Sequence, residues 1–339
     1  MNDKKRLIKL IILVSVMTVL AITFVFSASI NKFLYNFAFD KFNIVANENN
    51  LLVHYINVGQ GDAIAINFPT GTTMLIDAGT KEKSVTYTTY IKEKVLANSR
   101  SNKIDYLVLT HADDDHIGGA LRLLNNFEVG AVYLPYLDSD TDAYVELKNY
   151  VLQNCNYAFI TNELSFENTG CEVVTFGPLA LETENDTCPI IKIGYKDKTF
   201  LFTGDVSTKA EDMLINEYDK TLDCDVLKVA HHGSTESTSK EFLDIITPAY
   251  AVVSVGENSY GHPSEEVLNR LKTTQTNVLR TDKNGNILFA VGKNYELNYI
   301  CENYYLTNLT LDIRVWVLVV EIILLVVVGI IVFKKPKQS

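Results

Sequence analysis

Short apolar runs recur from Leu51 onward, and each ends at turn-forming residues. Alternating or continuous apolar runs of four to eight residues predict strands. The runs are LLVHYINV from residue 51, AIAINF from 63, TTMLID from 72, IDYLVLT from 104, KTFLFTG from 198, DVLKVA from 225 and AYAVVSV from 249. Apolar residues at helical spacing predict helices over residues 141–152, 240–246 and 264–271, with Ser264 as an N-cap. Strands interspersed with helices indicate one layered α/β domain.

Two long apolar runs, one at each end of the chain, predict transmembrane helices. Residues 7–30 follow Lys4, Lys5 and Arg6, and residues 313–333 are followed by a lysine-rich tail. Each run reaches the roughly 20 residues that a bilayer span requires. A cleaved signal peptide is the alternative for the first run, although its apolar stretch is long for one. Glu321, inside the second run, is costly in lipid and is expected to face a partner helix or the outer headgroups.

The cationic flanks of both runs predict the orientation of the chain in the membrane. Positive charge beside a spanning helix stays cytoplasmic, so both termini are expected inside and residues 31–312 outside. We therefore predict a two-pass protein of the cell membrane with an extracytoplasmic domain. The predicted organisation is an anchor over 1–30, a tether over 31–50, the main domain over 51–300, a tether over 301–312, a span over 313–333 and a basic tail over 334–339.

The charge of the central region argues against broad adhesion to nucleic acid. Residues 31–312 carry 22 basic and 39 acidic side chains, a net charge of −17. Such a balance repels a polyanion, although a local basic patch or bound metal ions can still attract phosphate. The five cysteines are scattered and lack the spacing of a zinc knuckle or a disulfide framework.

The segment THADDDHIGGA, residues 110–120, carries the strongest chemical signal. It follows an apolar strand and leads through two glycines into a helical pattern. In such a turn His111 and Asp113 alternate to one side, while Asp115 and His116 open the helix. Crowded carboxylates beside two imidazoles are costly unless a cation neutralises them. The segment therefore predicts a metal site.

Two further strand ends supply metal-ligating side chains. FLFTGD ends at Asp205, and LKVAHHGS contains His231 and His232. Strand ends are positions where active sites gather. Either motif alone would favour an ordinary turn or a capped helix, but both together add candidate ligands to those of the THADDDH segment.

These motifs, HxDxDH with two glycines, TGD and HHGS in that order, resemble the metallo-β-lactamase superfamily. INVGQGDA at 56–63, LIDAG at 75–79 and NSYGHP at 258–263 further resemble the extracellular hydrolase domain of competence proteins of the ComEC/Rec2 type. The resemblance covers about residues 51–292 and implies a four-layer αββα sandwich with a two-metal centre. The ligands it implies are His111, Asp113, Asp115, His116, Asp205 as a bridge and His231.

Further residues are candidates for roles around the ligands. Asp115 and His262 are the candidate catalytic residues; His262 would donate to a phosphate or leaving group, with an ordinary loop histidine as the alternative. Asp62 and Asp77 are expected to orient ligands, with turn capping as the alternative. His232 and Ser234 are expected to orient ligands or contact substrate, with capping of the following segment as the alternative for Ser234. The superfamily's additional histidine is absent before the TGD strand, and Cys188 lies nearby, either as a ligand or as a packing residue.

Oxygen-rich ligation shifts the metal preference toward manganese, with zinc as the alternative. The resemblance favours a phosphodiesterase or nuclease that processes DNA, and implies degradation of the strand that is not imported. Two predicted spans do not form the large channel of DNA-uptake proteins, so a separate channel protein is a candidate partner. Two alternatives stay open: a hydrolase of surface phosphoesters of the phosphorylcholine or teichoic-acid type, and a non-catalytic binding module that metals stabilise.

Overall fold

The computed structural model describes residues 50–99, 102–161, 164–177, 183–292 and 295–304, with a few isolated positions before residue 38. The unit that runs from Phe42 to Cys301 contains the sheets and is described by itself. Its strands are β1 Leu51–Tyr55, β2 Ile64–Asn67, β3 Thr73–Ile76, β4 Ile104–Val108, β5 Val129–Leu134, β6 Tyr157–Phe159, β7 Glu172–Phe176, β8 Ile190–Tyr195, β9 Lys198–Phe202, β10 Val226–Lys228, β11 Tyr250–Val253, β12 Asn277–Arg280, β13 Ile287–Val291 and β14 Leu297–Cys301.

Helices fill many of the connections between strands. The α-helices of the unit are α1 Ser84–Tyr90, α2 Asp114–Ile117, α3 Ala120–Asn126, α4 Asp142–Asn154, α5 Thr208–Tyr218, α6 Lys240–Ile246, α7 Glu265–Thr273 and α8 Thr281–Asn284; α9 Glu302–Tyr304 follows β14 in the chain and lies outside this unit. The seven predicted strands are confirmed as β1 to β4 and β9 to β11, each shorter than its apolar run. The three predicted helices are confirmed as α4, α6 and α7.

Two mixed sheets form the centre of the unit. The larger has the order β14-β13-β1-β2-β3-β4-β5-β6, and the smaller has the order β12-β11-β10-β9-β8-β7. Val53, Ile193 and Phe289 belong to the fully buried cluster that the two sheets share. Because strand side chains alternate between faces, the other face of each sheet needs its own cover.

Helices cover both outer faces. Tyr87, Leu123 and Leu147, from α1, α3 and α4, pack against the larger sheet. Leu214 and Phe242, from α5 and α6, pack with α7 against the smaller one. The result is a helix–sheet–sheet–helix layering, which confirms the predicted α/β fold.

Side-chain caps explain where several helices begin. Thr141, Ser239 and Ser264 each accept a hydrogen bond from the backbone three residues on, at the starts of α4, α6 and α7. The carboxylate of Glu211 also accepts the N–H groups of Thr238 and Ser239. This buried carboxylate therefore joins α5 to the start of α6.

Parallel pairing directs several strand ends to one edge of each sheet. β3, β4 and β5 are parallel neighbours in the larger sheet, and β9, β10, β11 and β12 are parallel neighbours in the smaller one. The segments that follow β4, β9 and β10 carry the histidine and aspartate motifs. The fold thus brings residues that are far apart in sequence into one cluster.

Within the described residues, no helix is long and apolar enough to span a bilayer. The predicted spans over 7–30 and 313–333 lie outside the described residues, apart from isolated positions in the first. Both spans therefore stay predictions.

Candidate metal centre

Three buried imidazoles converge between the two sheets. The ring centroids of His111 and His116 are 4.0 Å apart, and those of His116 and His232 are 5.4 Å apart. The Nε2 atom of each of the three rings is buried and has no hydrogen-bond partner. A buried polar atom without a partner costs roughly 1–3 kcal/mol, so three that lie close together indicate a cation-binding site.

Carboxylate oxygens surround these nitrogens. Asp205 Oδ2 lies 3.3 Å from Nε2 of His116 and 3.3 Å from Nε2 of His232. Asp115 Oδ2 lies 3.1 Å from Nε2 of His232, and Asp113 Oδ2 lies 3.4 Å from Nε2 of His111. Imidazole and carboxylate atoms at these separations suit coordination of divalent first-row metals.

The donor atoms fall into overlapping groups. His111, His116 and Asp205 form one group, and Asp115, His116 and His232 form another, with ligand atoms within 4.8 Å of one another in each. His116 belongs to both groups, and Asp205 Oδ2 lies near two of the rings. The residues present therefore fit metal ions.

Hydrogen bonds fix the rings so that Nε2 faces the centre. His116 donates through Nδ1 to Asp77 Oδ2 at 2.8 Å, and His232 donates through Nδ1 to the Ser254 carbonyl at 2.8 Å. Each partner only accepts, so a proton must lie on Nδ1, and Nε2 is the nitrogen that would bind a metal once its own proton is released.

Asp77 also orients His111 indirectly. Its Oδ1 accepts the N–H of Thr110 at 2.8 Å, and the Thr110 hydroxyl lies 2.8 Å from Oδ2. Nδ1 of His111 lies 3.1 Å from the same hydroxyl. One carboxylate thus contacts one imidazole directly and a second through the Thr110 hydroxyl.

The electrostatics keep the centre charged. Burial alone would raise the pKa of Asp205, but His232 and His116 hold it well below its ordinary value. Burial likewise opposes protonation of His116, yet Asp205 and Asp77 hold its pKa well above the ordinary value. Metal binding must displace protons from such imidazoles, so proton release is expected to accompany it.

Lys228 lies within the same cluster and was not among the sequence-predicted residues. Its side chain is fully buried, and Nζ lies 2.5 Å from Asp62 Oδ2 and 3.7 Å from Asp205 Oδ1. It also donates to the Gly204 carbonyl at 3.2 Å. The signal that could have found it is a lysine inside the apolar run VLKVA, directly before the histidine pair.

The two adjacent histidines face different directions. His232 is buried in the cluster, whereas His231 is 31% exposed at its side chain, and its Nε2 lies 3.9 Å from Asp205 Oδ2. The ring of His231 lies instead 5.5 Å from that of His262. The geometry favours His232 over His231 as a ligand, whereas the sequence favoured His231; a metal titration decides between them.

The remaining candidates lie at the edge of the cluster. Burial lowers the pKa of both His231 and His262. Ser234 Oγ accepts the Glu236 N–H at 3.3 Å, which is a turn-capping contact. Cys188 Sγ lies 3.4 Å from Nδ1 of His111, the side of the ring away from Nε2. In the described geometry Cys188 therefore contacts the His111 ring by a hydrogen bond on the side away from the cluster.

The chain belongs to the metallo-beta-lactamase superfamily, whose family model matches residues 56–257. ComE operon protein 3 of Bacillus subtilis (strain 168) is 30% identical over 261 residues, which cover 70% of this chain and 32% of that protein. Competence protein ComA of Neisseria gonorrhoeae is 28% identical over 247 residues, 73% of this chain and 33% of that protein. The chain thus spans about a third of the length of these relatives. They confirm the resemblance to competence proteins.

Among solved structures, the metallo-beta-lactamase fold protein YhfI from Bacillus subtilis covers 69% of this chain and 97% of its own, at 14% identity and a TM-score of 0.46.

Proposed function

We propose that this protein is a metal-dependent phosphodiesterase with two divalent ions, manganese or zinc, at the cluster of histidines and aspartates. The observation that carries the proposal is the convergence of three buried Nε2 atoms on ionised carboxylates. Aspartate-rich ligation suits hard ions and phosphoryl oxygens. The likeness to competence proteins supports DNA or a related diester as substrate.

The residues divide the work of such a site. His116, His232 and Asp115 would hold one ion, His111 and Asp113 the other, with Asp205 between them. Bound ions supply a water of lowered pKa and offset charge on the phosphoryl oxygens.

Neighbouring residues of the chain orient the ligands and the substrate. Asp77 holds the tautomer of His116 through its accepted hydrogen bond. The ring of His262 lies 5.5 Å from that of His231 at the outer edge of the site, where it would donate a hydrogen bond to a phosphoryl or leaving oxygen.

We place the domain outside the cell membrane, with both termini cytoplasmic. The support is the pair of apolar runs over 7–30 and 313–333 with cationic flanks. A separate channel protein is the partner expected for a role in DNA uptake. Surface phosphoesters are the second candidate substrate, since the net charge of −17 over residues 31–312 suits a small substrate at least as well as a polyanion.

The test is hydrolysis of bis-p-nitrophenyl phosphate and of labelled single- and double-stranded DNA by the full chain in detergent, with Mn²⁺, Zn²⁺ or EDTA. Asp115→Asn and Asp205→Asn remove proposed ligands and should abolish turnover. Asp114→Asn is the matched control, because Asp114 is an exposed neighbour outside the cluster. Diester cleavage without DNA cleavage would favour the small phosphoester, and no turnover with either metal would favour a binding module.

A further inference from the structure

The loop between β11 and α7 is held rigid by one side chain. Asn258 Oδ1 accepts the N–H groups of Tyr260 and His262, both at 3.1 Å. Asn258 Nδ2 donates to the carbonyls of Gly256 at 2.9 Å and His262 at 2.8 Å. Gly261 completes the turn at φ +80°, where a side chain would be strained. The tip of this loop is therefore preorganised.

Both ends of the loop pack on segments of the metal centre. A Cβ on Gly256 would lie 2.5 Å from the backbone nitrogen of Gln60, in the loop that leads to Asp62. A Cβ on Gly233 would lie 2.5 Å from Pro263 Cβ, next to His232. The loop thus has a fixed position relative to the ligands.

An exposed aromatic ring sits at the tip. Tyr260 is 75% exposed, the largest fraction among the large hydrophobic side chains that the structure describes. Its ring centroid lies 5.7 Å from that of His262, whose ring lies 5.5 Å from that of His231. His231 Nε2 in turn lies 3.9 Å from Asp205 Oδ2. The rings of Tyr260, His262 and His231 are thus successive neighbours between solvent and the metal centre.

We infer that Tyr260 is a specificity-determining residue, on which a nucleobase of the substrate stacks while its phosphodiester lies at the metal centre. This inference rests on the proposed phosphodiesterase function. An open aromatic face on a rigid loop contacts a flat ring at little entropic cost, and every nucleobase has such a face.

The single open ring suits a nucleobase better than a choline group. Choline recognition uses several rings around the cation, as in aromatic cages, whereas Tyr260 offers one open ring.

The expected effect is confined to substrates that carry a base. Base–aromatic stacking is strong enough that its loss lowers kcat/KM by about tenfold. Stacking stabilises the bound substrate and the transition state alike, so the loss should raise KM and leave kcat little changed.

The test compares p-nitrophenyl esters of thymidine monophosphate, methyl phosphate and phosphorylcholine, which share one leaving group, with the full chain and Mn²⁺. Tyr260→Ala should raise KM about tenfold for the thymidine ester and far less for the methyl ester, and Tyr260→Trp should restore the thymidine value. Tyr295→Ala is the matched control. Tyr295 is 56% exposed and lies in the hairpin between β13 and β14, which follows the Val291 end of β13. The segment that runs from β1 toward the metal centre starts at the opposite end of β13, where Tyr55 pairs with Ile287. Tyr295 is therefore at the end of the strand away from the metal centre.

The outcomes separate the inference from the function on which it rests. The role of Tyr260 would be overturned if Tyr260→Ala raised KM equally for the thymidine and methyl esters, or if it changed KM for neither. It would also be overturned if the variant raised KM for the phosphorylcholine ester alone. Wild-type protein that hydrolyses no ester would refute the phosphodiesterase function. Calorimetric binding of a short oligothymidylate then decides the inference alone: weaker binding by Tyr260→Ala supports it, and equal binding overturns it.

Discussion

Replacing Lys228 by methionine tests the electrostatic account of the metal centre. Methionine keeps the length and apolar stem of the side chain and removes its charge. The change leaves Asp62 Oδ2, now 2.5 Å from Nζ, and Asp205 Oδ1, now 3.7 Å away, without their cation. Both carboxylates are buried, so water does not replace it.

The expected loss depends on whether metal is bound. Removing one partner of a buried ion pair costs about 3–5 kcal/mol of unfolding free energy, which is our expectation in EDTA. Unit charges 4 Å apart interact by about 4 kcal/mol at an effective dielectric constant of 20. A divalent ion beside Asp205 would therefore replace much of the lost attraction. With metal bound, Lys228→Met should lower the free energy of unfolding by less than half of the loss expected in EDTA.

The assay is urea unfolding of the full chain in detergent, followed by circular dichroism, in EDTA and in Mn²⁺. Lys240→Met is the matched control, because that lysine is exposed and pairs with Asp244 one helical turn away. Solvent screens such an exposed pair, so its removal should change the free energy of unfolding little. Equal destabilisation of Lys228→Met with and without metal would refute the reasoning, since packing alone would then explain it.

Three further changes test other parts of the structure. His232→Ala should weaken Mn²⁺ binding at least about 100-fold in calorimetry and His231→Ala less than about tenfold, and the reverse order would make His231 the ligand. Burial raises the pKa of Glu211 to about 7 from 4.5, so the folded protein holds a proton that the unfolded chain releases. The contribution of Glu211 to the free energy of unfolding is present below pH 4.5 and is lost as the pH rises through 7. In the wild type this free energy should therefore fall by on the order of 3 kcal/mol between pH 4.5 and 8, and Glu211→Gln should remove that fall when both are measured by urea unfolding. Gly256→Ala should cost about 1–3 kcal/mol in the same assay, since its Cβ would lie 2.4 Å from the Gly59 carbonyl carbon.

Much of the fold follows from local patterns. The runs around β1 to β4 and β9 to β11 are apolar over four or more residues and end at turn residues, so their strands could be predicted. The edge strand β6 could not, because all three of its residues are exposed and carry no burial pattern. Its pairing with β5 depends on contacts between segments that are distant in sequence.

The convergence of the candidate ligands could be predicted as far as residue types decide it. The residues of HxDxDH and TGD converge because parallel strand ends meet, which the strand pattern implies. The choice within HHGS depends on backbone geometry instead. His231 and His232 both have positive φ, 47° and 52°, so neither strand alternation nor helical spacing applies to them.

Left-handed backbone at two successive histidines is itself informative about the site. Such conformations cost on the order of 1 kcal/mol or more per residue outside glycine, and they persist only where surrounding contacts impose them. Two hydrogen bonds hold this conformation. His232 donates through Nδ1 to the Ser254 carbonyl, and the N–H of Ser234 donates to the His231 carbonyl. In this backbone conformation the imidazole of His232 lies in the cluster, and that of His231 lies beside His262 at the edge of the cluster. Under the proposed function, His232 would then bind a metal ion, while His231 would lie on the side that the substrate approaches.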